Sequence, residues 1–407
     1  MITPDKALST VLENATQLSP ANRSLSDATG CRLSEDVQAP HDFPPFDRSM
    51  MDGFAVCLGM SSGRYLRTGV LKAGEIWPVP LRPGECVEIM TGAPCPSGTD
   101  LVFPYEDVEQ DGEWIVPPRE HLIGQFMAKR GSECRKGDSV LRKGTVVTPL
   151  VIAVLASFGR KEALVIPSPR MEIIVTGREV VHGDNFPDGA QIHDANGPML
   201  MAMACMLGIT EVGSRSVDDD ILSLTEAFEQ VSGAEVVLIT GGVSEGLFDL
   251  VPAALKESGA EIIFHKVSQK PGKPFLFARK GNSLYFALPG NPLSAHLCFH
   301  RYVAPAIRVM QGSTPVSIRG RGISRIAPNL SGRTRFELAR AEGERGSAEP
   351  FLLTVYEGRH SSDLFSVHKA NSVVCVPPSE EGNTADSEKI NWEFEWLESA
   401  RMEDMWS

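Results

Sequence analysis

The chain has 407 residues and a formal net charge of -13 at pH 7, with 42% hydrophobic and 22% charged residues. This length exceeds one ordinary hydrophobic core and predicts roughly two to four domains. The acidic balance excludes general nucleic-acid binding, which needs a basic face to displace counterions. It does not exclude a small anionic ligand, because a few local lysines can dominate one cleft.

Three features of the sequence predict a cytoplasmic protein. The eight cysteines are scattered and form no C-x-x-C pair, which is typical of free thiols in a reducing compartment. The first residues are polar and amphipathic without an apolar h-region, so no signal peptide is expected. No apolar run approaches the ~20 residues that span a bilayer, so no membrane association is expected.

The N-terminal part is predicted to be a helix followed by a β-rich domain. Residues 3–17 form the helix, with Thr3 as cap and Pro4 at its first position. Short β-like runs then alternate with Pro- and Gly-rich turns up to about residue 145, and the clearest are 85–90, 101–103 and 114–116. Residues 148–158 are apolar and helix-like. We expect them to pack back on the first helix, which would make that domain discontinuous.

The segment from residue 171 to residue 312 predicts an α/β domain. Strands are expected at 171–175, 235–240, 261–264 and 284–288, and helices at 198–207, 218–231, 249–258 and 292–310. This alternation indicates a mostly parallel sheet covered on both faces. Short β runs return at 316–325, 335–340, 351–355 and 372–376, which predicts a small all-β domain. The acidic, Trp-bearing tail 378–407 is left unassigned.

Ligands of parallel sheets bind at the carboxyl ends of the strands, and three loops follow strands in the α/β segment. Residues 240–246 bring Gly241, Gly242 and Ser244 to a helix start, where backbone N–H groups favour an anion. Residues 266–274 concentrate three lysines around Pro-Gly; a solvated charge run is the alternative, but two prolines fix the loop. Residues 288–292 are, taken alone, a structural turn.

Four other features leave alternatives open. Asp249 stands at the predicted start of a helix and either only caps it or also meets a ligand. Asp52, before Gly53, marks either a hairpin turn or a site residue. Thr91 is either buried or a donor to a ligand. His296 and His300 have the spacing of a metal pair, but an apolar face and the lack of H-E-x-x-H disfavour it.

Seven motifs, taken in order, resemble those of the molybdopterin molybdenumtransferase family, which includes the MoeA proteins and the E domain of gephyrin. They are PPFDRSMMDGFAV, EIMTGAPCPSGTD, TGREVV, AQIHDAN, TGGVSEGLFD, HKVSQKPGKP and LPGNPLSA. The resemblance covers nearly the whole chain. It implies insertion of molybdate into adenylyl-molybdopterin, with release of AMP, in molybdenum cofactor biosynthesis. It also implies Mg²⁺, a homodimer, and molybdopterin adenylyltransferase as an upstream partner.

The resemblance further implies a multidomain α/β plus β fold. Residues 1–28 with 140–168 would form a discontinuous linker and dimer domain, and 29–139 a β-rich domain. Residues 169–312 would form a three-layer, MogA-like α/β domain that binds molybdopterin, and 313–407 a small β-barrel domain with its tail. The active site would lie between the α/β domain of one subunit and the β-rich domain of the other.

By position, the resemblance assigns roles to residues of this sequence. The catalytic set is Asp52, Thr91, Asp218 and Asp249. The metal-binding set is Glu179 and Asp249. The substrate-binding set is Lys266, Lys270, Lys273, Gly241, Gly242, Ser244, Pro289, Pro292 and Ser366.

The sequence also departs from the family pattern. Arg48 stands where the motif has Asn, and Arg178 replaces the Asp of TGDE. Further departures are Ala128, Glu133, Glu245 and Leu247. These favour an alternative function, a diverged molybdopterin-binding or scaffold paralogue without turnover. An adenylyltransferase that uses the same α/β domain is a third hypothesis, which the long β-rich parts on either side disfavour.

Overall fold

A computed structural model of the chain describes residues 1–59, 63–181, 183, 186–231, 233–242, 250–315, 318–327, 329–344, 349–356, 363–379 and 390–397. The chain divides into two compact units. The smaller comprises residues 23–29 and 33–163, and the larger comprises residues 1–22, 30–32 and the chain from Leu164 onward. The division runs through three short strands, Ala21–Ser24, Arg32–Leu33 and Glu162–Ile166. The four-domain scheme stays a prediction.

The smaller unit is built on a six-stranded sheet, so its β-rich character is confirmed. In spatial order the strands are Leu101–Pro104, Gly53–Val56, Glu85–Ile89, Tyr65–Leu71, Trp114–Val116 and Glu109–Asp111. Because successive side chains of a strand alternate between faces, separate cores form around Val87 and around Phe54. The remaining elements are Val37–Gln38 paired with Ser139–Leu141, Arg48–Ser49 paired with Met127–Ala128, a 3-10 turn Tyr105–Asp107, and the helix Pro149–Ser157.

The larger unit contains the central sheet that the alternating pattern predicts. In spatial order the strands are Val212–Val217, Met171–Thr176, Val236–Thr240, Ser283–Leu288, Leu276–Lys280 and Glu261–His265. The first four strands are parallel to one another, and Leu276–Lys280 runs antiparallel to both of its neighbours, Ser283–Leu288 and Glu261–His265. Every residue of the two central strands is buried, as expected where both faces are covered. A further pair joins Val180–Val181 to Ile192–His193.

Helices cover the central sheet on both faces, which confirms the three-layer α/β arrangement. Asn196–Met206 and the helical segment that starts at Pro292 pack on one face, and Ile221–Gln230 and Val251–Glu257 on the other. The segment consists of Pro292–Cys298, a π-helical turn Phe299–Val303, and Ala304–Met310. None of the helices among the described residues is long and apolar enough to cross a membrane.

The first helix, Pro4–Asn14, belongs to the larger unit. Thr3 caps it by accepting a hydrogen bond from the Lys6 amide at 3.3 Å. Its buried side chains, Ala7 and Val11, join the core that contains the helical segment from Pro292. The helix Pro149–Ser157, its predicted partner, falls in the smaller unit, and their packing stays a prediction.

A closed five-stranded barrel follows the central domain. Its strands in order are Thr334–Glu342, Phe351–Val355, Arg319–Ser324, Ile390–Trp396 and Ser372–Val376. The barrel closes because the first strand also pairs with the last. The tail that the sequence leaves unassigned supplies the Ile390–Trp396 strand, and its Phe394 and Trp396 are buried in the barrel core. A short helix, Leu364–Val367, precedes the last strand.

Three predicted helix starts in the α/β segment are wrong, and two strands of its central sheet escape the sequence pattern. The helix expected from residue 198 begins at Asn196. The helix expected from Asp218 begins at Ile221, because Asp220 is its N-cap and accepts from the Ser223 amide at 2.9 Å. The helix expected from Asp249 begins at Val251, and Asp249 itself lies outside the described residues. The unpredicted strands, Val212–Val217 and Leu276–Lys280, mix glycine or charged residues with apolar ones, which weakens the β signal.

Candidate functional site

Glycine backbone brings the strand-end loops of the central sheet together. Gly241 has φ +98°, and a Cβ there would clash with the carbonyl group of Thr176 at the end of the neighbouring strand. These two strands flank the point where the strand order reverses, which is the usual ligand position in such sheets. Gly242 has φ +60° and packs on Val251, and a Cβ on Gly290 would lie 3.8 Å from the Cα of Gly241. We call these loop ends the strand-end cluster.

Asn196 joins the same loops by its side chain. Its Nδ2 donates to Thr240 Oγ1 at 2.6 Å and to the carbonyl oxygen of Gly290 at 2.8 Å. A carbonyl oxygen only accepts, so the amide must keep this orientation. Oδ1 is buried and has no hydrogen-bond partner in the described structure. Sequence reasoning misses this residue, although it ends the AQIHDAN motif, because the helix is predicted to begin two residues later.

Among the residues that the structure describes, two carboxylates lie beside the strand-end cluster. Asp219 Oδ1 is 3.5 Å from Thr176 Oγ1, and both carboxylate oxygens of Glu179 lie 3.0 Å from where a Cβ of Gly177 would stand. The structure thus brings Asp219 to the cluster, whereas the sequence points to Asp218. Asp220 is occupied as the helix cap, and the Ser223 amide and hydroxyl lower its pKa.

These oxygens are of the kind that Mg²⁺ prefers. Mg²⁺ commonly uses one or two carboxylates together with substrate phosphates, so Glu179 and Asp219 fit that ion by chemistry. Across the described part of the chain, three or more His, Cys, Asp or Glu side chains nowhere form a group that could hold a metal alone. His296 is not part of such a group; burial lowers its pKa to about 4.

A cavity of about 540 Å³ lies between the loop of residues 270–273, which we call the lysine loop, and the barrel. The two are directly joined, since Gln269–Lys270 pairs in parallel with Thr334–Arg335. The charged and polar lining residues are Gln269, Lys270, Lys273, Asn291, Ser294, Arg333, Arg335, Glu337 and Tyr356, and Pro289, Leu293, Leu297 and Phe336 are among the apolar ones. We call it the lysine cavity.

The charge of the lysine cavity is strongly positive. Four of its described lining residues are cationic and one is a carboxylate. That carboxylate, Glu337, lies with Oε1 at 2.6 Å from Nε of Arg335. Lysine ammonium and arginine guanidinium groups are the side chains that bind phosphate and similar oxyanions. The cavity can therefore hold an oxyanion, and Glu337 limits its net charge.

The structure sorts the predicted substrate-binding residues into groups. Lys270, Lys273 and Pro289 line the lysine cavity, and Gly241 and Gly242 form the strand-end cluster. The others in the described structure do not line the cavity: Lys266, whose amide donates to Phe275; Pro292, which starts a helix; and Ser366, which is next to the lining residue Val367. Ser244 lies outside the described residues. The arginines of the cavity, Arg333 and Arg335, are missed by the sequence.

In the smaller unit, Asp52 and Thr91 form one exposed polar group. The amide and hydroxyl of Thr91 donate to Asp52 Oδ1 at 2.6 and 2.7 Å. These donors, the amide first, hold the pKa of Asp52 below its ordinary value. Gly53 allows the close approach of the neighbouring strand, because a Cβ there would clash with the carbonyl oxygen of Phe103. Thr91 is exposed, so its alternative reading as a buried residue is wrong.

Two departures from the family pattern compensate each other. Arg48 Nη2 lies 2.7 Å from Oε1 of Glu133, and the Arg48–Ser49 strand pairs with the strand that contains Ala128. The neighbouring Asp47 accepts from Lys129 at 2.8 Å and from the amide of Arg130 at 2.8 Å. The motif around Asp52 is thus held by ion pairs, and these departures do not by themselves indicate loss of function.

Comparison with known proteins agrees with this geometry. Residues 2–159 match the family model "MoeA N-terminal region (domain I and II)", and residues 172–309 match "Probable molybdopterin binding domain". The molybdopterin molybdenumtransferase of Bacillus subtilis is 32% identical over 373 residues, which cover 88% of this chain and 86% of that protein. The one from Staphylococcus aureus is 34% identical over 296 residues, 70% of each chain.

A solved structure shows the same fold. The molybdopterin biosynthesis MoeA protein from Pyrococcus horikosii superposes with a TM-score of 0.75 at 27% identity, over 97% of this chain and 99% of that one. The match spans the β-rich unit, the central sheet and the barrel alike. The chain belongs to the molybdopterin molybdenumtransferase family, the MoeA proteins.

Proposed function

We propose that this chain inserts molybdate into adenylyl-molybdopterin and releases AMP, as a step of molybdenum cofactor biosynthesis. The observation that carries the proposal is the lysine cavity, a space of about 540 Å³ that the described residues line with four cationic side chains and one carboxylate. Its size is within the range of small-molecule sites, which are about 300–1,000 Å³. Family membership supplies the reaction, and the charge of the cavity suits its oxyanion substrates.

The lysine cavity would bind the anionic groups. Lys270 and Lys273 hold oxyanions as point charges, and Arg333 and Arg335 offer planar pairs of donors to two oxygens at once. Molybdate is a dianion, and the second substrate carries a phosphate and an adenylate. The apolar wall that includes Phe336 suits a flat ring of that substrate.

The strand-end cluster would bind the other end of the substrate. The backbone of Gly241 and Gly242 can approach a ligand closely, and Asn196 Oδ1 offers a buried acceptor. Mg²⁺, when bound, would neutralise charge on the phosphoanhydride during loss of AMP. Glu179 and Asp219 fit its ligands, and the family resemblance adds Asp249 as a ligand and Asp218 as a catalytic residue.

A homodimer would complete the site. The family resemblance places Asp52 and Thr91 in the active site of the partner subunit. Leu150, on the helix Pro149–Ser157, is 80% exposed, and a partner subunit could cover such an apolar side chain. Molybdopterin adenylyltransferase would deliver the adenylylated substrate, in the cytoplasm.

AMP release by the purified protein tests the function. We expect AMP to appear when adenylyl-molybdopterin, molybdate and Mg²⁺ are supplied together. We expect little AMP when sulfate replaces molybdate. Denatured protein is the control for spontaneous hydrolysis. If the folded protein binds adenylyl-molybdopterin but releases no AMP, the proposed transferase activity is wrong and a molybdopterin-binding paralogue without turnover remains.

A further inference from the structure

The lysine loop rests on a buried polar network. Gln269, which directly precedes the loop, is fully buried. The hydroxyl of Tyr302 donates to its Oε1, and its Nε2 donates to the carbonyl oxygen of Pro271 at 3.1 Å and to Cys298 Sγ at 3.6 Å. The acceptor in Pro271 lies between the two cavity lysines. The network therefore fixes the loop backbone from its buried side.

The lysine loop has no room to move toward this network. Gly272 has φ +91°, and a Cβ there would lie 2.5 Å from Nε2 of Gln269 and 2.8 Å from Cys298 Sγ. The backbone of the loop thus packs directly on these side chains. A change in their position must change the position of the loop, because protein interiors are close-packed.

The helical segment from Pro292 supplies the supporting tyrosine. Tyr302 lies in the π-helical turn Phe299–Val303, and its ring stacks on Phe275 with 4.7 Å between centroids. A π-helical turn shifts the side chains that follow it relative to a regular helix, and such turns are frequent at functional sites. Here the turn brings a hydroxyl to Gln269 within an otherwise apolar core.

We propose that Gln269 and Tyr302 are positioning residues that set where Lys270 and Lys273 stand in the lysine cavity. Without the hydroxyl, Oε1 of Gln269 becomes a buried acceptor that has lost this donor, so the carboxamide reorients and releases Pro271. The inference rests on the proposed function for its kinetic readout. It concerns substrate binding rather than the chemical step, because Tyr302 does not line the cavity, and Gln269, which is among the lining residues, is fully buried with its side chain held by Tyr302, Pro271 and Cys298.

The variant Tyr302→Phe tests the role, because it keeps the stacked ring and removes only the hydroxyl. We expect KM for adenylyl-molybdopterin to rise about tenfold, since small displacements of binding groups have large effects, while kcat stays within roughly twofold. Tyr285→Phe is the matched control. Tyr285 is buried and its hydroxyl has no hydrogen-bond partner in the described structure, so its loss should leave KM unchanged.

A double variant separates positioning from stability. Gln269→Met combined with Tyr302→Phe replaces both partners with apolar groups. This restores the stability lost in Tyr302→Phe, but it does not restore the hydrogen bond to the carbonyl oxygen of Pro271. We expect its urea midpoint to recover and its KM to stay high. A KM for Tyr302→Phe within roughly twofold of wild type, or a double variant that recovers KM together with stability, overturns the proposal. If Tyr302→Phe does not fold, the double variant alone tests the proposal: a high KM supports the positioning role, and a wild-type KM overturns it.

Binding of inorganic molybdate distinguishes this inference from the proposed function. If the wild type releases no AMP, the proposed function fails, and calorimetry of molybdate binding still compares wild type with the variants. We expect about tenfold weaker binding in Tyr302→Phe and the double variant than in Tyr285→Phe. Equal affinity in all three would overturn the positioning role.

Discussion

The strand-end cluster and the lysine cavity are built by opposite means. The cluster consists of glycine backbone and short side chains, and the carboxylates near it are Asp219 and Glu179. The cavity consists of long cationic side chains drawn from two parts of the larger unit. The helix Pro292–Cys298 joins them, since it begins after the loop of Gly290 and carries cavity residues. The strand-end cluster is therefore fixed by its backbone and has no room for added atoms, whereas ligand binding in the lysine cavity depends on the charge of its side chains.

Adding one carbon atom to the strand-end cluster should give the largest effect. Gly241→Ala would force a Cβ into the Thr176 carbonyl and strain a backbone with φ +98°. We expect AMP release to fall at least about 100-fold and the free energy of unfolding to fall by about 3 kcal/mol. Urea unfolding and turnover assays measure both.

Gly281→Ala is the matched control for this change. Gly281 also has a positive φ, +60°, but a Cβ there meets nothing within 4 Å. Only backbone strain remains, which costs about 1 kcal/mol, and turnover should not change. Equal losses of turnover and stability in the two variants would show that turnover does not depend on close packing at the cluster.

Removing positive charge from the lysine cavity should give an intermediate effect of a different kind. We expect Lys270→Ala and Lys273→Ala each to raise KM by roughly 10- to 100-fold, the worth of a charged hydrogen bond, and to change unfolding by less than about 0.5 kcal/mol. The dependence of KM on ionic strength should weaken in both. Lys256→Ala, an exposed lysine in the last turn of another helix, is the control. A large loss of stability with unchanged KM would contradict the charge-based account.

Removing the carboxylate of Glu337 from the cavity should give the smallest change in KM, and of opposite sign. Glu337→Gln removes the negative charge that pairs with Arg335 at 2.6 Å and lessens repulsion of the anionic substrate. We expect KM to fall about threefold, as for one charge near a protein surface. Glu342→Gln is the control. Glu342 pairs with Arg340, two residues before it in the same strand, as Glu337 does with Arg335, but it does not line the cavity. A rise in KM for Glu337→Gln would show that the carboxylate contacts substrate instead.

Local sequence patterns predict the cluster better than they predict the cavity. Gly241 and Gly242 follow a strand within one contiguous motif, so periodicity and loop composition suffice to place them. Which of the neighbouring aspartates lies at the cluster is harder to predict from the sequence. Asp218, Asp219 and Asp220 are equivalent in the sequence, and the helix cap formed by Asp220 decides which of them is left to face Thr176.

The cavity depends on contacts that are distant in the sequence. Arg333 and Arg335 enter it because Gln269–Lys270 pairs with Thr334–Arg335, and no local pattern predicts a pairing of such separation. The barrel likewise needs the strand Ile390–Trp396, which pairs with two other barrel strands. The acidic composition of the tail obscures the β pattern of this strand in the sequence. The network under the lysine loop joins Gln269 to Tyr302 through the core. These features follow from packing, and only the structure reveals them.

The position of molybdenum in the protein would show whether the lysine cavity binds molybdate. Anomalous diffraction from crystals grown with adenylyl-molybdopterin and molybdate locates the metal without reference to activity. We expect a molybdenum peak in the lysine cavity, within hydrogen-bonding reach of Lys270 or Lys273 through the molybdate oxygens, and loss of that peak in the Lys270→Ala, Lys273→Ala double variant. A peak elsewhere, with the lysine cavity empty, would contradict it.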